Sequence, residues 1–555
     1  MPLKFASSAT NAYRYPLLIK HLLATSLPNA TDEEIVYRGE RRYTYKAFGE
    51  RVHKLATSLS ALGVEEGSTV SIMDWDSHRY LEAYFAIPMM GAVLHTVNVR
   101  LSEDQIVYTI NHAGAIVLIV HRDFLPLLQH IRSRLTSVRE VVLIADSLPL
   151  PLDSGPFTAE YEALLDSSRS DFTFVDFDEN ATATTFYTSG TTGLPKSVAF
   201  SHRHLVLHTI AGMAALASAP DGQSFRRGDV YMPMTPMFHV HAWGAPYIAT
   251  MLGVKQVYPG RYDAASLVSL KAQEGVTYSH CVPTILHMLL TAAEASGTTD
   301  RLRGWKMTIG GAPLSMSLAR RALASGVDVF AGYGMSETCP SVTVTRVPTV
   351  IESKDDEVNL RCKAGVAVPL VYTEIVDEHM NQLPHDGVTK GELVIRAPWL
   401  TQGYNGDSRA SEGLWAGGYL HTQDIASIDA RGYVQVSDRL KDVIKTGGEW
   451  VSSLLLENLI SLCPDVSEVA VIGEPDSRWG ERPIAIVVKA TDLDDREMDT
   501  RVRAVLANYV SNGTISKYAV PNRILAVDVL PKTSVGKLDK KQLRATVIAS
   551  SALNT

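Results

Sequence analysis

From residue 42 onward, short runs rich in β-branched and aliphatic residues alternate with longer stretches of helical periodicity, and few patterns restrict topology more. Residues 43–62 read as helix, STVSIMDWD (68–76) as strand, 81–90 as helix, AVLHTVN (92–98) as strand, and AIVLIVHR (115–122) and EVVLIAD (140–146) as strands again. Strands separated by helices cannot close as hairpins; they run parallel, joined by crossovers, with helices laid on the sheet faces. The alternation resumes with TATTFY (182–187), VKQVYP (254–259) and DVFAGYG (328–334). The expected class is α/β, a large N-terminal domain of βαβ-type sheets. Near 391–437 the texture changes to GELVIRAP, GYL and GYVQV, short strands broken by glycine, which predicts a small antiparallel β subdomain. Beyond DRLKD (438–442), residues 443–555 carry strands at 468–473 and 484–490 and a helix at 495–509, so a small α+β C-terminal domain is expected there. The divisions are thus 1–437, 438–442 and 443–555.

Composition narrows the partners. Fifty-two Lys+Arg against 60 Asp+Glu leave a net charge of -8, which disfavours nucleic acid and anionic membrane, both of which demand clustered positive charge. Cys281, Cys339, Cys362 and Cys463 are scattered without a C-x-x-C pair, so neither a disulfide framework nor a zinc site is indicated, and a reducing compartment fits. No run of 18 apolar residues predicts a transmembrane segment, the N-terminal MPLKFASSATNAYRYPLL lacks a long apolar h-region, and the terminal LNT is no peroxisomal address. The expectation is a cytoplasmic protein that works on small molecules.

The stretch YTSGTTGLPKSVAFSH (187–202) joins a strand to a lysine through glycines and hydroxyls. It is not a Walker loop, because Pro195 stands before Lys196 where that loop needs glycine to wrap a phosphate. Thr188, Ser189, Thr191 and Thr192 nevertheless offer hydroxyl donors, Gly190 and Gly193 let the backbone approach an anion, and Lys196 supplies a point charge. Such a loop suits a pyrophosphate clamp; a polar glycine-rich turn is the plain alternative.

Six further motifs follow in order: PMFHVHAWG (236–244), GGAP (310–313), GYGMSET (332–338), GYLHTQD (418–424), DRLKDVIKTGGEW (438–450) and PKTSVGKL (531–538). With the loop they resemble the successive signatures of the acyl-adenylate-forming superfamily, and over residues 35–545 the chain is most similar to fatty acyl-CoA synthetases. The resemblance implies that a carboxylate is joined to the α-phosphate of ATP with release of pyrophosphate, and that the thiol of CoA then displaces AMP. It implies a mobile C-terminal domain and a homodimer, with the amino-terminal region as a contact.

Residue roles follow from the same resemblance. Tyr333 is expected against adenine, with Gly332, Gly334 and Thr338 around the nucleotide, and Glu337 on Mg²⁺ with a second oxygen from Thr188; a hard cation bridging phosphates does take carboxylate oxygen. Gly310, Gly311, Ala312 and Pro313 resemble the small-residue wall where adenine and acyl group meet. Asp424 matches the aspartate that accepts both ribose hydroxyls, and Arg439 a donor to ribose or phosphate. Lys537 matches the lysine that neutralises charge during adenylation; taken alone, beside Lys532, Lys540 and Lys541, it reads as a solvated tail lysine. Lys441 matches the hinge residue, after whose rotation the loop holding Gly447, Gly448, Glu449 and Trp450 approaches for thioester formation; alone, DRLKD reads as a charged turn. His239 and Trp243 are expected to border the acyl pocket with Gly310, Trp243 as a tunnel gate, while the role of His241 stays open. Two departures stand out: Gln423 where glycine is common, and Ser197 where glycine usually follows the lysine.

The expected substrate is a medium- or long-chain fatty acid, with short-chain, sulfur-containing and aryl acids as alternatives. A peptide-synthetase adenylation domain would need a carboxylate partner for a substrate ammonium, and Tyr231–Gly244 contains none. A luciferase-like enzyme has nothing in its favour. A non-catalytic nucleotide-binding protein would be marked by loss of Glu337, Asp424, Arg439 or Lys537, and all four are present.

Overall fold

The computed structural model of the chain describes residues 3–146, 157–188, 194–348, 350–351, 353–446, 449–476, 478–533 and 537–552, with backbone alone for 449–450 and 548–552. Two large sheets dominate. The first runs in the order Ala159–Glu160, Glu140–Ile144, Ala115–His121, Thr69–Met73, Val93–Thr96, Thr182–Thr188, Lys196–Ser201, parallel throughout except for the last pair, which is an antiparallel hairpin. The second has nine strands among the described residues, with Trp305–Ile309, Tyr278–Cys281, Val230–Pro233 and Lys255–Tyr258 parallel at its centre. Every residue of helix His78–Met89 is buried, because it lies between the sheets. Its apolar residues face the core, and its charged ones are buried as ion pairs, Glu82 with Arg51 and Arg79 with Asp146 and Glu162. Phe48, Tyr84, Phe85, Tyr231, Tyr247 and Phe330 fill the same core, while Met232, Cys281, Met307 and Val329 face a second core on the other side of the nine-stranded sheet.

Helix Tyr45–Ala61 starts where Thr44 accepts a hydrogen bond from the Ala47 amide, and Ser77 accepts from the Tyr80 amide at the head of the buried helix. Caps of this kind fix where each crossover begins. The small antiparallel sheet holds Tyr372–Val376, Gly391–Arg396, Tyr419–Ile428 and Val434–Arg439, so it starts earlier in the chain than the texture change at 391 indicated.

After it comes a C-terminal domain of mainly antiparallel strands and helices. Its sheet contains Ile444–Thr446, Glu449–Val451, Val466–Asp476, Gly480–Lys489 and Arg523–Val527, with helices Ser453–Ile460, Asp495–Ser511 and Lys540–Ala552. It has its own apolar core, built around Leu456, Ile460, Val471, Val487 and Val502. Polar contacts join it to the rest: the Met316 amide donates to Asn458 Oδ1 at 3.1 Å, and Ser317 Oγ to Ser461 Oγ at 3.3 Å. Among the described residues no helix is long and apolar enough to cross a membrane.

Candidate active site

The central parallel strands of the nine-stranded sheet end at a cavity of about 40 Å³, walled by His239, Trp243, Gly310, Gly311, Tyr333 and Lys537 among others. The carboxyl ends of parallel strands are where α/β sheets bind ligands. Glycine makes this cavity. A Cβ on Gly310 would stand 3.0 Å from the Trp243 indole and 3.1 Å from the Gly332 carbonyl oxygen, so any side chain there would fill the space.

Lys537 reaches the cavity from the C-terminal domain, its Cε 3.4 Å from where a Cβ on Gly311 would be. Burial and the nearby Arg439 guanidinium push its ammonium down to about 8, against the pull of Asp424 and Glu337. Asp424 and Arg439 are cross-strand partners in the small sheet, and Arg439 Nε lies 3.3 Å from Asp424 Oδ1. The Tyr333 hydroxyl donates to Asp424 Oδ2 at 2.6 Å. Burial raises the Asp424 carboxyl, while Arg439, Tyr333 and Lys537 draw it back down. Groups chosen from four separate motifs therefore share one electrostatic environment.

Glu337 is buried in the short turn Ser336–Thr338, and its Oε1 accepts the Tyr404 hydroxyl at 2.7 Å. The Lys196 ammonium lies 4.7 Å from the centre of the same tyrosine ring. Lys196 is also the cross-strand partner of Thr188. Tyr404 thus ties the loop lysine to the carboxylate, a role that the sequence TQGYNG does not advertise. No group of three or more His, Cys, Asp and Glu side chains could hold a metal ion among the described residues. One oriented carboxylate, that of Glu337, still fits Mg²⁺, which takes one or two protein oxygens and completes its shell with phosphates and water.

Val240, His241, Ala242 and Trp243 have φ of 48, 53, 46 and 60°, followed by Gly244 at 72°. A left-handed turn of non-glycine residues costs about 1–2 kcal/mol per residue, and it persists only where its surroundings over-determine it. The preceding residues are clamped from the neighbouring sheet region. Asp76 Oδ1 accepts the Met237 amide at 2.7 Å, the Tyr84 hydroxyl donates to the Met237 carbonyl, and the Thr96 hydroxyl donates to the Phe238 carbonyl at 2.9 Å. His239 is pushed down to about 3, by burial first and then by Lys537, so it faces the cavity as neutral imidazole. His241 points away into an aromatic box of Tyr84, Phe186, Phe200 and Tyr247 and belongs to the core.

Other residues selected from the sequence fall elsewhere. Ser189, Gly190, Thr191, Thr192, Gly193, Gly447 and Gly448 lie outside the described residues. Glu449 and Trp450 lie on a strand paired with Thr446 and Lys445. Gly332 and Gly334 line the cavity, whereas the Thr338 hydroxyl is engaged with the Met335 backbone and the Pro340 carbonyl. Ala312 and Pro313 follow Gly311 on the more open side. Lys441 is exposed, two residues beyond Arg439. Asp438, not singled out in the sequence, spans the junction: Oδ1 accepts the Arg439 amide at 2.8 Å and Oδ2 the Ser453 amide at 2.6 Å.

Both departures from glycine have structural accounts. Gln423 has φ of 58°, a left-handed conformation that explains why glycine suits this position. The buried Ser197 hydroxyl bonds Thr185 Oγ1 at 3.0 Å and accepts Asn405 Nδ2 at 3.3 Å, fastening the lysine strand to the Tyr404 segment.

A pair of largely parallel sheets, with Asp424, Arg439 and Lys537 gathered near the carboxyl ends of the central strands, fits the class of adenylate-forming enzymes. The chain belongs to the AMP-binding enzyme family: residues 24–405 match that family, and residues 455–537 match the AMP-binding enzyme C-terminal domain. It is 40% identical over 521 residues to a long-chain-fatty-acid–CoA ligase of Thermus thermophilus, covering 92% of each chain. It is 38% identical over 540 residues to a 3-methylmercaptopropionyl-CoA ligase of Ruegeria lacuscaerulensis, covering 95% of this chain and 97% of the relative. Its fold matches that of the anthranilate CoA ligase AuaEII, solved with anthranoyl-AMP, with a TM-score of 0.84 at 23% identity over 97% of this chain and 99% of the other. Within the family it is an AMP-forming acid–thiol ligase, an acyl-CoA synthetase, for which ATP and CoA are co-substrates.

Proposed function

We propose that the enzyme activates an aliphatic carboxylic acid in two steps at the cavity between Gly310 and Lys537. In the first, a carboxylate oxygen of the acid attacks the α-phosphorus of ATP and pyrophosphate leaves. In the second, the sulfur of CoA attacks the acyl carbon and AMP leaves. The observation that carries this reading is the arrival of Lys537, from the C-terminal domain, beside Gly311 and within the field of Asp424, Arg439 and Glu337. An ammonium there offsets charge shared by the two anionic reactants, and positioning with charge stabilisation is most of what such transfers require.

Asp424 accepts ribose hydroxyls once Tyr333 turns to adenine, Arg439 donates to ribose or phosphate, and Gly332, Gly334, Gly311, Ala312, Pro313 and Thr338 shape the nucleotide site. The hairpin loop from Thr188 to Lys196 clamps the leaving pyrophosphate. Glu337 with Thr188 would hold Mg²⁺, which would supply charge neutralisation at the phosphates. Residues 438–442 form the hinge about Lys441, and the turn of the strand pair that ends at Glu449 and Trp450 then serves the thioester step. ATP–pyrophosphate exchange that depends on added carboxylate, together with acyl-CoA formation, tests the reading; exchange without any carboxylate dependence sinks it.

Two acyl groups are in contention. A medium- or long-chain fatty acid is supported by the 40% identity, over nearly the whole chain, to a long-chain enzyme. A short acid, sulfur-containing ones included, is supported by the 38% identity to a 3-methylmercaptopropionyl-CoA ligase. A homodimer contacting through the amino-terminal region is supported by exposed Leu3, Phe5, Tyr13 and Tyr15, and a cytoplasmic location by four free cysteines.

A further inference from the structure

The sheet beneath the cavity sets how far an acyl group can reach. His280 is the cross-strand partner of Pro233 on one side and of Thr308 on the other, and Thr308 is that of Phe330. Two residues further along their strands, on the same face, stand Gly310 and Gly332, which have no side chains. The cavity takes in this glycine row and reaches Thr308 in the row before it; His280 and Phe330 flank Thr308 in that row, His280 beneath the Trp243 indole that walls the cavity. One row deeper Tyr231 and Tyr278 are partners, both buried, with Phe225 stacked on Tyr278 at 4.1 Å. Successive rows on one face lie about 6.6 Å apart, twice the rise per residue.

His280 is fixed in its row. Its Nε2 pairs with the Tyr231 hydroxyl at 2.8 Å and its Nδ1 with Thr235 Oγ1 at 3.1 Å. Turning the ring would strand buried polar groups on both sides. The Trp243 indole lies over it, ring centres 5.1 Å apart and inclined by 37°. A displaced Trp243 would bare this held imidazole, with Tyr231 behind it. Burial keeps this imidazole neutral, so it can border an apolar tail.

We propose that His280 is a specificity-determining residue that ends the acyl pocket and restricts the enzyme to short aliphatic carboxylic acids. This rests on the synthetase reading above and decides between its two acyl groups. The test measures kcat/KM for acyl-CoA formation by the full-length enzyme with straight-chain acids from acetate to palmitate, alongside pyrophosphate exchange and ATP KM. The wild type should prefer short acids and lose activity steeply as methylenes are added. His280→Ala, opening the row down to Tyr231 and Tyr278, should move the optimum to longer acids, with a gain of about fourfold for each further methylene accommodated. His280→Phe, which keeps the bulk and breaks the Tyr231 bond, should retain the short-acid optimum. A wild type that prefers palmitate, a folded His280→Ala enzyme with an unchanged profile, or a His280→Phe enzyme that accepts longer acids would each overturn the proposal. If His280→Ala does not fold, the wild-type and His280→Phe profiles still decide. Absence of exchange with every acid would instead remove the synthetase reading itself.

Discussion

Replacing Gln423 by glycine should stabilise the protein. The residue sits at φ of 58° on the strand that delivers Asp424, and both its backbone groups are engaged: its amide donates to Glu392 Oε1 at 3.0 Å, and its carbonyl accepts the Leu440 amide at 2.9 Å. Neither bond involves the exposed side chain, so substitution leaves both in place. Holding an L-residue in this conformation costs about 1–2 kcal/mol, and glycine returns about 0.5–1 kcal/mol of that through its greater freedom when unfolded. The net expectation is about 1 kcal/mol in favour of Gln423→Gly. Gln423→Ala is the matched control, since it removes the same side chain but keeps the Cβ that creates the strain. A chain of several domains does not unfold in one step, so the quantity to compare is the urea midpoint of the first transition, glycine against alanine, with ATP KM measured alongside. The glycine enzyme should unfold at higher urea and bind ATP as before. Equal midpoints, or a glycine enzyme less stable than the alanine one, would refute the reasoning from backbone strain.

Three further outcomes follow from the site. Lys537 is held down to about 8, below the ordinary lysine value of about 10.4, so kcat/KM for pyrophosphate exchange should fall as pH rises through about 8, and Lys537→Arg, charged throughout, should lose that limb; a limb that persists belongs to another group. With the folded value below the unfolded one, stability gains from this group as pH rises from about 8 to about 10.4 and loses the gain on the way down, which pH-dependent urea midpoints of wild type and Lys537→Arg can check. Lys441→Pro, by fixing φ near about −65°, should leave acyl-adenylate formation intact and block transfer to CoA, and normal overall turnover in a single-turnover comparison would dismiss Lys441 as the hinge.

The parallel sheets were legible because their strands, such as AIVLIVH, are buried on both faces and read as unbroken apolar runs. Tyr278–Cys281 was not, since its sequence YSHC is polar and only four residues long. It is a strand because its neighbours supply partners on both sides and its polar tips bond to Tyr231, Thr235 and Thr308. Motif order singled out Lys537, Asp424, Arg439, Glu337 and Trp243 as candidates, but order carries no contact information. Hence Tyr404, which links Lys196 to Glu337, and Asp438, which links the small sheet to helix Ser453–Ile460, emerge only from the packed chain. The left-handed turn at 240–243 gives no sequence sign either, because its strain is sustained by Asp76, Tyr84 and Thr96, well over a hundred residues away.

The central claim is that one cavity performs adenylation with Lys537 in place and thioester formation without it. The most direct measurement separates the two half-reactions in Lys537→Ala: acyl-adenylate formation from acid and ATP, and acyl-CoA formation from pre-made acyl-AMP and CoA. Loss of one well-placed charge donor at a transferring phosphoryl group typically costs about 10²–10³ in rate. The account predicts a loss of that order in the first half-reaction and a near-normal second. Equal losses in both, or an unimpaired first half-reaction, would contradict it.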